Sequence, residues 1–189
     1  MGESFIKGSS IKAIKQFIVK NAGKETYEKI IAGIPEEYRS VIESSTILAS
    51  GWYPMKPYVE FLKSIGATMG KDKQHLYREI GAHIIDYGYN FFYKIFYKLG
   101  SPEFILKNSK HLWSSYFKPS RLDVIATTTT SAVLRVSEEP QPDKVLCESI
   151  AGGMEQSARL SGAKNISIRE TKCAVTGDPY CEYQATWEL

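Results

Sequence analysis

The hydrophobic positions in the first half of the chain recur mainly at helical spacing. Ile11, Ile14 and Phe17 share one face of a helix that Ser9 or Ser10 could cap and that Gly23 would end. The same pattern predicts helices over 25–31, from Pro35 onward, after the turn 51–54 as far as Gly66 or Gly70, over 72–99, and from Ser101 to Trp113. The first part of the chain is therefore predicted to be helical.

The second half of the predicted helix over 72–99 carries aromatic residues on nearly every face. Such a segment is typical of a buried helix, a homodimer interface or the wall of an apolar pocket. Tyr and Phe rings provide apolar area, and the phenolic groups provide a few hydrogen bonds. The candidate pocket residues are Tyr89, Phe92, Tyr93 and Phe96 from this segment, with His111 and Trp113 from the next helix.

The pattern changes after Lys118-Pro119. The β-branched run from Leu122 to Val136 predicts one long strand or two short ones. A helix is predicted over 143–160, and the Gly152-Gly153 pair in its middle indicates a close backbone approach. Alternating segments over 166–172 and 181–187, joined by a turn at 177–180, predict a hairpin. The predicted fold class is α+β, with N-terminal helices packed on a small antiparallel sheet and a C-terminal strand, helix and hairpin held together by a metal.

The length and the charge of the chain restrict its domain organisation and its possible partners. A chain of 189 residues suits one well-filled domain with an extension, so we predict a helical extension over 1–46 and a ligand-binding domain over 47–189. The net charge of +3 comes from interleaved signs, which does not favour nucleic acid as a partner. No stretch reaches the ~18 apolar residues of a membrane span. With unpaired cysteines, these features predict a cytoplasmic protein.

Three cysteines, all in the C-terminal part of the chain, are the strongest chemical signal. An odd number cannot be closed by internal disulfides, whereas Cys147, Cys173 and Cys181 with Glu170 would complete a tetrahedral zinc shell. Such a four-ligand shell leaves no position for water, so it would be structural. Asp178 and Glu148 are alternative oxygen ligands, and three unconnected buried cysteines are the alternative to a metal site.

The stretch from Cys147 to Cys181 resembles the C-terminal signature of the 4-vinyl-reductase-like domains. The resemblance rests on Gly162, the strand ending in Arg169-Glu170, and Cys173-Ala-Val-Thr-Gly-Asp-Pro-Tyr-Cys181. Over about 48–189 the chain also resembles standalone bacterial proteins of this type. The resemblance implies that the four residues above bind zinc, as in the effector-sensing domains of aromatic-responsive activators.

The wider superfamily that this resemblance implies also contains haem nitric-oxide sensors and transport-complex (TRAPP) subunits. The haem sensors carry a Tyr-x-Ser-x-Arg element, which the segment from Ser131 to Arg135 does not reproduce, and no proximal histidine is identifiable. We therefore expect structural zinc and no haem. The Trp and His with which the aromatic-responsive activators hold a phenolic hydroxyl cannot be aligned onto this chain either.

The leading functional hypothesis is a non-enzymatic sensor that holds a hydrophobic small molecule and signals by association with a protein partner or as a homodimer. No phosphate-binding loop, GxSxG or HExxH motif is present. A homodimeric interaction module of the transport-subunit type is the second hypothesis. An enzyme acting on a tetrapyrrole-like substrate is the third.

Overall fold

The computed structural model describes residues 2–70, 72–88 and 101–189. It confirms the α+β class, with helices in the N-terminal part and an antiparallel sheet in the C-terminal part. The described helices are α1 (Gly8–Ala32), α2 (Glu36–Glu43), α3 (Met55–Met69), α4 (Lys73–Gly88), α5 (Pro102–Ser114) and α6 (Lys144–Leu160). The described strands are β1 (Phe5–Lys7), β2 (Trp52–Pro54), β3 (Phe117–Lys118), β4 (Arg121–Thr127), β5 (Ser131–Ser137), β6 (Lys164–Lys172) and β7 (Cys181–Glu188).

The strands form two antiparallel sheets. The smaller sheet has the order β2-β1-β3, and the larger has the order β4-β5-β7-β6. In the larger sheet, β7 buries alternate residues, as the sequence pattern predicts, and β5 does the same. Its buried face, with residues such as Leu134 and Ala185, packs against α6 and forms the second of two hydrophobic clusters.

The first hydrophobic cluster is helical. It joins buried side chains of α1, α3 and α4, including Ile11, Ile14, Ile18, Phe61, Leu62, Ile65 and Ile80. Helix α1 bends at Gly23, whose φ of +81° is non-helical, at the position where the sequence predicts a helix end. The boundary predicted between residues 46 and 47 stays a prediction, although residues from both sides of it share this cluster.

The start of α1 differs from the prediction. Ser9 and Ser10 lie inside the first helical turn and are buried, so neither is the cap. The backbone N–H groups of Gly8 and Ser9 donate instead to the carbonyls of Gly51 and Ala49, both at 3.0 Å. Backbone groups from a distant loop therefore satisfy the donors that a capping side chain would otherwise satisfy.

The smaller sheet was not predicted. The segment expected to be a turn at 51–54 contains strand β2, which pairs with β1, and β3 pairs with β1 on its other side. These strands span two or three residues each, which is too short to show an alternating pattern. The run over 122–136 is resolved as two strands with a bulge between Val124 and Ala126.

The closest packing of helices is the crossing of α4 and α6. A methyl group at Gly81 would collide with the backbone carbonyl of Ser149, and one at Gly152 with the backbone of Arg78. A methyl group at Gly153 would make only ordinary contacts, the nearest at 3.5 Å to Ile85. The predicted close backbone approach is therefore confirmed, and Gly152 rather than Gly153 requires it.

Arg78 links α4 to the rest of the molecule beside this crossing. Its guanidinium donates to Glu148 at 3.1 Å, to Glu155 at 2.6 Å and to the backbone carbonyl of Ile168 at 3.1 Å. The two carboxylate side chains are only 12% and 25% exposed. One side chain thus connects α4 with α6 and β6.

Replacing Arg78 by Met is expected to lower the free energy of unfolding by about 2 kcal/mol, because two partly buried carboxylates lose their shared partner. Lys29→Met is the matched control, since Lys29 pairs with Glu25 on an exposed helix surface. That change is expected to cost less than about 1 kcal/mol. Urea unfolding of both variants measures the difference, and equal costs would contradict the role assigned to Arg78.

The described residues contain no helix that is both long enough and apolar enough to cross a membrane. The aromatic segment predicted over 87–97 lies outside the described residues except for Tyr87 and Gly88. Tyr87, at the end of α4, packs against the helical cluster.

Candidate functional site

A cavity of about 150 Å³ lies where the helical cluster meets the larger sheet. Its walls come from helices α1, α3, α4, α5 and α6 and from all four strands of that sheet. Ile84, Leu146 and Ile150 form part of the helical wall, while Leu134 and Ile168 form part of the sheet wall. The cavity is therefore assembled from segments that are far apart in sequence.

The described lining is largely apolar. Its polar members are hydroxyl groups and indole rings, and none of the described residues in the lining carries a charged side chain. Tyr58 is almost fully buried; its hydroxyl is hydrogen-bonded to Ser149, and burial raises the pKa of Tyr58 well above its usual value. Tyr58 therefore stays neutral. The lining presents apolar area and neutral hydrogen-bonding groups to any bound molecule.

The predicted pocket residues fall into three groups. Tyr89, Phe92, Tyr93 and Phe96 lie outside the described residues. Trp113 lines the cavity from α5, and its ring stacks on Phe117 with centroids 4.2 Å apart. His111 does not line the cavity, because α5 turns Ser109 and Trp113 inward and leaves His111 exposed.

The structure brings the four predicted metal ligands together. One ligand atom from each of Cys147, Glu170, Cys173 and Cys181 lies within 4.8 Å of the others. The Sγ atom of Cys147 is 3.8 Å from that of Cys181 and 4.0 Å from that of Cys173. Tetrahedral coordination with metal–sulfur bonds of about 2.3 Å places two sulfurs about 3.8 Å apart. The spacing thus suits a shared metal ion and is too long for a disulfide.

The three thiols differ in acidity. Hydrogen bonding to Cys181 and burial raise the pKa of Cys147, whereas the hydrogen bond from Cys147 lowers the pKa of Cys181 to about 7. Burial raises the pKa of Cys173. A thiolate at Cys181 is therefore the first to form, and a cation at this position would favour the other two.

The fourth position, Glu170, is held by Lys144, whose ammonium group contacts Oε2. Its other oxygen, Oε1, is buried and has no hydrogen-bond partner among the described residues. The alternative oxygen ligands are engaged elsewhere: Asp178 accepts the backbone N–H of Cys173 at 2.8 Å, and Glu148 binds Arg78. Glu170 is thus the carboxylate with a free buried oxygen at the thiols.

Helix α6 belongs to both sites. Cys147 faces the thiol cluster, while Leu146, Ile150 and Met154 on the same helix line the cavity. The hydroxyl of Tyr183 on β7 also donates to the backbone carbonyl of Cys147 at 3.3 Å. The thiol cluster therefore lies at one end of a helix that forms a wall of the cavity.

Sequence reasoning missed the sheet wall of the cavity, including Trp187 and Ala185 of β7. The signal for them was present, because they share the buried face of an alternating strand with Cys181 and Tyr183. What the alternation does not indicate is that a cavity, rather than close packing, covers this face.

No protein-family model matches the sequence, and no curated protein matches it at a significant level. Solved structures do match. An H-NOX protein from S. oneidensis in the Fe(II) ligation state has a TM-score of 0.77 at 13% identity, covering 97% of each chain. An Fe(II) unliganded H-NOX protein from K. algicida has a TM-score of 0.71 at 12% identity, again covering 97% of each chain.

The expectation that the cofactor is structural zinc and not haem is wrong, because it is contradicted by the proteins that share this fold. Proteins that share the fold are described in Fe(II) ligation states, and a further match, with a TM-score of 0.67 at 13% identity, concerns modulation of heme redox potential through porphyrin distortion. It covers 97% of this chain and 96% of the other. Among the described residues, His75, His83 and His111 do not line the cavity, so none of the three is placed to ligate an iron ion there.

The similarity spans nearly the whole chain, and at 12–13% identity it concerns the fold alone. The fold agrees with the one that the sequence resemblance implied. The chain therefore has the fold of the H-NOX proteins.

Proposed function

We propose that this protein is a non-enzymatic sensor that binds a hydrophobic small molecule in the cavity between its helices and its larger sheet. The observation that carries the proposal is the cavity itself, which is apolar and is lined by elements from both halves of the chain. Interiors are normally packed to near-crystalline density, so an apolar space of this size at the centre of a fold suggests a binding site.

The size of the cavity indicates the size of the ligand. An apolar cavity of about 150 Å³ in another protein accepts a benzene-sized molecule. The cavity of about 150 Å³ here therefore suits a compound of one or two rings. A ligand that exceeds this volume would displace part of the lining, which is a means by which binding could change the surface of the protein.

The sequence supports two further parts of the proposal, the class of ligand and the way in which the signal passes. The signature from Cys147 to Cys181 supports a relationship with the 4-vinyl-reductase-like domains, whose effector-sensing members bind small aromatic molecules. We propose that the signal passes through association, either with a second copy of this chain or with a protein partner. A dimeric interaction module remains the second candidate, supported by the aromatic residues over 87–97.

We also propose that Cys147, Glu170, Cys173 and Cys181 bind a thiophilic metal ion. The distances between sulfurs and the free buried oxygen of Glu170 support this assignment. The role of the ion is to hold α6 against the β6–β7 hairpin, so that the wall of the cavity keeps its position.

Filling the cavity tests the sensor proposal. Ala158 lines the cavity from α6, so Ala158→Leu is expected to weaken the binding of indane, a neutral two-ring hydrocarbon, by at least about tenfold. Ala32→Leu makes the same change on an exposed part of α1 and is expected to leave the affinity unchanged. Calorimetric titration gives both dissociation constants. Failure of the native protein to bind indane or other small neutral ring compounds would contradict the proposal.

A further inference from the structure

The polar groups that line the cavity are mostly satisfied by other protein groups. Ser109 donates to the backbone carbonyl of Leu106 at 2.8 Å, and Ser161 donates to that of Ala158 at 2.7 Å. The indole Nε1 of Trp113 donates to the backbone carbonyl of Ser120 at 3.0 Å. These groups therefore do not require a hydrogen bond with a ligand.

Two residues of the lining carry a polar atom without such a partner. The indole Nε1 of Trp187 and the hydroxyl of Ser10 are buried without a hydrogen-bond partner in the described part of the chain. Trp187 is 6% exposed and Ser10 is 1% exposed, so bulk water does not satisfy them. Buried polar atoms are nearly always hydrogen-bonded, and an exception requires an explanation. Both atoms belong to residues on the wall of the same cavity.

The chemistry of the two groups is specific. An indole N–H is a donor only, so Trp187 requires an acceptor. A serine hydroxyl can donate or accept, so Ser10 adapts to whatever polar atom it meets. Since no charged side chain belongs to the described lining, an ionised ligand group would be left without a counter-charge.

We propose that the ligand is a neutral molecule of one or two rings with a hydrogen-bond acceptor, a carbonyl or ether oxygen, that binds the indole N–H of Trp187. This inference rests on the proposed function, because it specifies the ligand of the same cavity. Trp187 belongs to the sheet and Ser10 to α1. One unsatisfied polar group therefore lies on each side of the space that the apolar rings of the ligand would occupy. Trp187 selects the oxygen-bearing compound over the hydrocarbon of the same shape.

The test compares 1-indanone with indane, which has the same rings and no carbonyl oxygen. The preference for the ketone, expressed as the ratio of the two dissociation constants, is expected to fall about tenfold in Trp187→Phe, because that variant lacks the N–H. Trp113→Phe is the matched control. It also shortens an indole ring on the cavity wall, but the N–H it removes is already bonded to Ser120, so the ratio is expected to change by less than about twofold.

A second measurement needs no variant. In the native protein labelled with ¹⁵N at its indole groups, the Nε1–H resonance of Trp187 is expected to move downfield on addition of 1-indanone and not on addition of indane. The Trp113 resonance is expected to stay in place with both compounds.

The outcomes separate this inference from the proposed function. Binding of both compounds with an unchanged ratio in Trp187→Phe, or with no ketone-specific shift of the Trp187 resonance, would overturn the role of Trp187 and leave the cavity as a binding site. Failure of both compounds to bind the native protein would overturn the proposed function and this inference together.

Discussion

Replacing Cys147 by Ala is expected to reduce the metal content of the purified protein from about one equivalent to near zero and to lower the free energy of unfolding by more than about 4 kcal/mol. Cys147 is the proposed ligand on α6, and the other three proposed ligands lie on or next to β6 and β7. Loss of the ion therefore releases the helix from the hairpin. Elemental analysis for all first-row transition metals, followed by urea unfolding, measures both effects.

Two carboxylates provide a matched pair for this prediction. Glu170 and Glu148 both contact Lys144, but only Glu170 belongs to the thiol cluster. Glu170→Gln is expected to weaken metal binding at least about tenfold, whereas Glu148→Gln is expected to retain it. A chelator should destabilise the native protein to the level of Cys147→Ala. Native protein that contains no metal, or that keeps its stability in chelator, would contradict the metal assignment.

Replacing Gly152 by Ala is expected to lower the free energy of unfolding by about 3 kcal/mol or more. The added methyl group would meet the backbone of Arg78 on α4, and backbone atoms cannot move aside as a flexible side chain can. The two helices would have to separate along a crossing that also positions Ser149 and the wall of the cavity. Thermal and urea unfolding both report the loss.

The neighbouring glycine is the control for this substitution. Gly153→Ala places a methyl group 3.5 Å from Ile85, an ordinary contact, and improves helix propensity by roughly 1 kcal/mol. It is therefore expected to be neutral or stabilising. A Gly152→Ala variant as stable as Gly153→Ala would contradict the close approach described at Gly152.

The elements with strong local patterns are the ones that the sequence predicts well. Asp143 caps helix α6 by accepting the N–H of Val145 with its side chain, and Ser101 caps α5 by accepting the N–H of Phe104. Capping residues and apolar spacing are both local signals. The alternation in β7 is equally local, and it agrees with the buried face of that strand.

The missed elements depend on contacts between distant parts of the chain. Strand β1 spans three residues and exists because β2 and β3 pair with it, and neither partner is near it in sequence. The cap of α1 is likewise supplied by carbonyls some 40 residues away. No pattern within a short window contains this information.

The two candidate sites also differ in how far the sequence alone predicts them. The thiol cluster could be predicted because cysteine chemistry restricts the alternatives and because the segment resembles a known signature. The cavity could not, since its walls come from many elements and Trp187 looks in the sequence like any buried strand residue. The aromatic residues that were predicted as a wall lie mostly outside the described part of the chain.

A small neutral ring compound is proposed to bind between the helices and the larger sheet. The most direct test is an NMR measurement of intermolecular NOEs between indane and the methyl groups of the protein. NOEs to Leu134 and Ile168, which line the cavity, are the predicted result. NOEs to exposed methyl groups such as those of Val19 and Leu48, with none to the cavity residues, would contradict the account.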